Sequence, residues 1–85
     1  MNLELLFKNR NIVSLVLKKG NEVIDKVVFP FDRNLEHVLI FGLDKILNKN
    51  KMSLLSLETV KIVGDIKKDS LSFQIAKSFK KALDL

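Results

Sequence analysis

Val23-Ile24-Asp25-Lys26-Val27-Val28-Phe29-Pro30-Phe31 is the stretch on which the fold turns, because the spacing of apolar residues changes there. As far as Phe29 the residues are rich in β-branched types and read as a strand. Pro30 has no N–H to give and stops the ladder. Beyond it Leu35, Val38, Leu39, Gly42, Leu43, Ile46 and Leu47 recur at helical spacing to about residue 49. Asp32 and Asn34 are the two residues placed to cap that helix. Ile40 and Phe41 lie outside its tightest stripe, so its apolar surface is wider than one sheet face needs.

Working back from this junction, Leu3-Glu4-Leu5-Leu6-Phe7 and Ile12-Val13-Ser14-Leu15-Val16-Leu17 read as two more strands. They are nearly continuous apolar runs, which predicts that both their faces are covered. Lys8-Asn9-Arg10-Asn11 and Lys19-Gly20-Asn21 supply the turns, with Gly20 where a positive φ is tolerated. The three strands are therefore expected to form an antiparallel meander.

Working forward, Ser53-Leu54-Leu55-Ser56-Leu57 makes a short turn and Thr59-Val60-Lys61-Ile62-Val63 a fourth strand. A strand that reaches its sheet through a helix usually lies parallel to a neighbour. Asp69 or Ser70 then caps a last helix, with Ser72, Ile75, Ala76, Phe79 and Leu83 on one stripe. Leu71, Ser78, Ala82 and Leu85, beside Gln74, form a second stripe whose small members let another backbone approach. The order is β-β-β-α-β-α: a single α+β unit over residues 1–85, with two helices packed on one face of the sheet.

Eighty-five residues bury only about 60–65% of the surface that the unfolded chain exposes, so the core is thin and a leftover apolar face tends to seek a partner. The chain has no cysteine and one histidine, His37, which removes disulfides, thiolate metal sites and histidine clusters. A reducing, cytoplasmic setting is expected. Met1-Asn2-Leu3-Glu4 does not read as a secretory leader, and no apolar run approaches the ~18 residues of a membrane span. The net charge is +5, with Lys51, Lys61, Lys67, Lys68, Lys77, Lys80 and Lys81 in the last part of the chain. Such a bias attracts polyanions and acidic partners.

Arg33 ahead of a Leu-rich helix, Ser53-Leu54 with Leu57 in the following turn, and Gly64 at the end of the fourth strand follow one another in a recognisable order. In this the chain resembles the N-terminal half of the bacterial TsaB (YeaZ-type) family. That family is the non-catalytic partner in synthesis of threonylcarbamoyladenosine on tRNA, and its half-domain is a ribonuclease-H-like unit of the actin-like ATPase superfamily. Ser72, Ala76, Ser78 and Ala82 fall on the family's small, close-packing helix positions. Other motifs are replaced: Phe7 stands where the family's first strand ends in an aspartate, Gly64-Asp65-Ile66-Lys67-Lys68-Asp69 replaces its glycine-rich loop, and Gln74 takes the place of its arginine. His37 lies two residues beyond the family histidine. A family member continues into a second, similar half, whereas this sequence ends at Leu85.

The resemblance implies that the two helices form a dimer surface. The partner would be a second copy or a TsaD-like catalytic subunit that binds ATP and metal. The implied partner-binding residues are Phe41, Asp44, Leu71, Gln74, Ile75, Ser78 and Ala82. No catalytic residue and no cofactor are expected in this chain.

The chemical readings of the remaining residues are weaker than their structural ones. A phosphate cradle needs converging backbone N–H groups, which glycines permit, whereas Asp65 and Asp69 would repel the anion. Two-metal hydrolysis would need Glu4, Asp25 and Asp65 to converge, and the key end of the first strand is aromatic instead. His37 has no marked nucleophile near it. The six phenylalanines lie mostly on apolar stripes and read as core rather than as platforms for bases. Lys77, Lys80 and Lys81 favour the C-terminal end of a helix. They are also the residues that would meet tRNA or another polyanion.

Overall fold

The computed structural model describes residues 1–83. Leu85, placed on the outward stripe of the last helix by its spacing, lies outside the described residues. Strand β1 (Asn2–Asn9), β2 (Ile12–Lys19) and β3 (Glu22–Pro30) form an antiparallel meander. Helix α1 (Leu35–Lys49), a 3-10 turn (Leu54–Ser56), β4 (Thr59–Gly64) and α2 (Leu71–Ala82) follow. The sheet order is β3-β2-β1-β4, and β4 runs parallel to β1. The α+β architecture expected from the spacing is the one observed.

Each strand contributes alternate residues to one apolar layer: Leu3, Leu5 and Phe7 from β1, Val13, Leu15 and Leu17 from β2, Val27 from β3 and Val60 from β4. Leu35, Leu39 and Ile46 of α1 and Ala76 and Phe79 of α2 close over them. Burying one such side chain stabilises the fold by about 1.5–3 kcal/mol, so this layer is the main support of the molecule. Gly42 lets α1 come close, since a Cβ there would stand 2.8 Å from the Phe29 ring and 3.1 Å from Leu15. Gly20 turns the β2–β3 hairpin at φ +62°.

The helix ends settle two alternatives. Asn34 takes the N-cap position of α1, but its Oδ1 accepts from the Asp32 backbone N–H at 2.9 Å and caps nothing in the helix. Ser70 caps α2: its Oγ accepts from Phe73 N–H at 3.1 Å and donates to the Lys67 carbonyl at 2.6 Å. At the other end of α1, Asn50 Nδ2 donates to Asp25 on β3 at 2.9 Å and to the Ile46 carbonyl at 2.7 Å. That hydrogen bond, the Lys26 N–H at 2.8 Å and the Lys49 ammonium at 3.5 Å outweigh partial burial and hold the Asp25 carboxyl below its ordinary value.

One expectation holds for β2 and not for β1. The apolar continuity of β1 and β2 predicts cover on both faces, yet both helices pack on the same face. Leu6, Ser14, Val16 and Val28 point the other way, where no element covers them among the described residues. Val16 and Ser14 are nevertheless buried, so β2 is buried on both faces, as its apolar continuity predicts, although no second layer of elements lies there among the described residues. A run of apolar residues on an interior strand is thus compatible with helices on a single face.

Candidate functional site

The outer sides of α1 and α2 meet in an open groove of about 530 Å³. One wall is Glu36 and Ile40 of α1. The other is Leu71, Gln74, Ile75, Ser78 and Ala82 of α2, with Phe79 and Leu83 deeper. The sequence folds this way because α2 spends Ala76, Phe79 and Leu83 on the core, which turns the stripe of Leu71, Ser78 and Ala82 outward. Leu71 is 75% exposed and Ile40 55% exposed. Single exposed aliphatics are ordinary, but two that line one groove, whose α2 wall also carries the small residues Ser78 and Ala82, form a surface another helix can enter.

Five of the seven residues assigned to partner binding, Leu71, Gln74, Ile75, Ser78 and Ala82, lie together in this groove. The other two do not line it. Phe41 is 60% exposed but leans edge-on against Phe29 of β3, with ring centroids 5.9 Å apart, on the side of α1 away from α2. Asp44 is exposed on α1. Ile40 and Glu36, which supply the α1 wall, were not assigned from the sequence. Their signal was present: Ile40 lies one turn after Glu36, beside the core stripe rather than on it.

Lys77 and Lys81 are exposed and Lys80 is half-buried. None of the three lines the groove. Lys80 and Lys81 sit in the last turn of α2, where positive charge meets the negative end of the helix dipole.

A second cleft, about 550 Å³, opens at the ends of β1 and β4 where a phosphate-binding loop would stand. Its floor is aromatic: Phe7 and Phe31 are buried and packed edge to face, 5.9 Å between centroids. Arg10, Asp65 and Lys67 stand at its rim. The backbone of the loop is turned to its own chain, with Asp65 N–H donating to the Phe7 carbonyl at 2.7 Å, Ile66 N–H to Gly64 at 3.0 Å and Ser70 N–H to Lys67 at 3.0 Å. Gly64 is kept for a backbone reason. Its φ is +100° and a Cβ would overlap the Phe7 carbonyl and amide, so the glycine serves the parallel strand pair without reference to any anion.

The three carboxylates considered for metal chemistry are held apart. Glu4 projects from the helix-free face, paired to Lys18 at 3.1 Å. Asp25 turns to the helix side to meet Asn50, and Asp65 is in the loop after β4. Among the described residues no group of three histidine, cysteine, aspartate or glutamate side chains is placed to hold a metal ion. No described helix is long and apolar enough to cross a membrane. His37 is an exposed residue of α1. No protein-family model matches the chain, and no curated protein matches it in sequence.

Proposed function

We propose that this chain is a non-catalytic association module of TsaB type that pairs through α1 and α2. Its partner is a second copy or the catalytic subunit of a tRNA threonylcarbamoyladenosine complex. The observation that carries this reading is the groove between the two helices, lined by the exposed Ile40 of α1 and by Leu71, Ser78 and Ala82 of α2. Covering those side chains is favourable at about 25 cal/mol per Å² of apolar area removed from water. The small residues allow the close helix approach that turns area into packing.

Size in solution tests it. The chain is expected to self-associate with rising concentration in sedimentation, or to co-sediment with the catalytic subunit. Ser78→Arg and Ala82→Glu, both at exposed positions, should abolish that association with circular dichroism unchanged. A chain that stays monomeric at high concentration and ignores the catalytic subunit removes the proposal.

The exposure of Lys77 and Lys81 on one side of α2 supports a second reading, contact with tRNA. That contact should weaken steeply and linearly in log affinity against log salt. It should also weaken when Lys77, Lys80 and Lys81 are changed to Glu.

A further inference from the structure

The face of the sheet turned away from the helices is built in rows. Val63, Leu6, Ser14 and Val28 stand in register across β4, β1, β2 and β3, and the next row is Lys61, Glu4, Val16 and Lys26. The first row is apolar apart from Ser14, and Val28 at its end is 49% exposed. The second row begins and ends in lysine. Lys8 projects from the same side near Lys26, whose pKa is lowered chiefly by the Lys8 ammonium. Glu4 already pairs with Lys18, while Lys8, Lys26 and Lys61 have no ion-pair partner among the described residues.

We infer that this helix-free face docks an acidic amphipathic helix of a partner protein, its apolar stripe on Leu6, Val28 and Val63 and its carboxylates meeting Lys8, Lys26 and Lys61. Charge complementarity selects the occupant. Three lysines without an ion-pair partner among the described residues attract carboxylates, and the aliphatic row needs apolar cover that a carboxylate alone does not give. The dimensions agree: outer strand axes of a four-stranded sheet lie roughly 14 Å apart, and a helix is about 10 Å across.

Two other occupants fit worse. A second copy that meets it with the same basic face or with the Lys77 and Lys81 side of α2 sets like charge on like, and its α1 offers only Glu36 and Asp44, the latter beside the exposed Lys45. Single-stranded nucleic acid would find lysines but no aromatic platform, because Phe7, Phe29 and Phe31 belong to the helix-covered core. The surface lies opposite the helix groove, so this inference stands or falls apart from the association proposed above.

The test is titration of the isotope-labelled chain with two synthetic amphipathic helices of about five turns. The two share one leucine stripe, flanked by glutamate in one and by lysine in the other; an oligothymidylate is titrated in parallel. The glutamate peptide is expected to bind at least about tenfold tighter than the lysine peptide and to shift the amides of Leu6, Val16 and Val28. The double variant Lys26→Glu, Lys61→Glu, both at exposed positions, should reverse that preference, and Ser78→Arg should leave it unchanged. Equal affinity for the two peptides, binding of neither, shifts confined to α1 and α2, or tighter binding of the oligonucleotide would each overturn the inference.

Discussion

Asn50 is the residue that ties the end of α1 to β3. Its amide serves Asp25 and the Ile46 carbonyl at once, so Asn50→Ala should cost about 1–2 kcal/mol of stability, read from urea unfolding near neutral pH. The pH dependence follows from the Asp25 carboxyl, whose folded value lies below the ordinary 3.8. Its contribution is fully present above that ordinary value and is lost as pH falls through the lower folded one. The difference between wild type and Asn50→Ala should therefore narrow as the solution is acidified below 3.8; a difference that widens in acid contradicts the assignment. Gly64 makes a second test at this scale. Gly64→Ala forces a side chain into a left-handed backbone at φ +100° and against Phe7, so a loss of at least about 1–3 kcal/mol is expected in the same measurement.

At the scale of elements, α2 shows how far the amino-acid order reaches. Its start, its core stripe and its outward stripe follow from spacing alone, because a helix in contact with one sheet has a single buried direction. The choice between Asp69 and Ser70 as cap was open in the sequence, and the structure takes Ser70. Ser70→Ala should lower stability by about 1 kcal/mol, visible as an earlier thermal midpoint, whereas Asp69→Ala should do little.

The α1 wall of the groove was less legible. Ile40 and Phe41 are neighbours of similar character, and only the placement of α2 beside one side of α1 and of β3 beside the other separates a groove residue from one resting on Phe29. The helix-free sheet face was misread at β1 for a related reason. Ser14, Val16 and Leu6 are apolar or small in the sequence, and nothing in a strand's own residues states whether a second layer arrives. The alternation of charge and aliphatic on the outer side, Glu4 with Leu6, Lys26 with Val28 and Lys61 with Val63, was the signal available.

The whole molecule exposes 5758 Å². A stable pairing usually removes about 800 Å² from each partner, close to one-seventh of that surface, an area two neighbouring helices can supply. If association through them is part of the native state, stability depends on protein concentration by mass action. The thermal midpoint of the wild type should then rise with concentration, and that of Ser78→Arg should not. A midpoint independent of concentration in both would place the groove outside any self-assembly.

The strand order carries a consequence for how the protein is made. β1 is flanked on one side by its immediate successor and on the other by β4, and the tie between Met1 and Glu58 closes 57 positions of chain. During synthesis the meander can zip up as soon as Pro30 has left the ribosome. It then waits with one edge of β1 unmatched until β4 is delivered, and its apolar layer lacks the cover of α2 until that helix follows. Between the release of Pro30 and that of Thr59 the nascent polypeptide is therefore three strands with an open edge, and this interval is when a chaperone, or a neighbouring chain, has access to it.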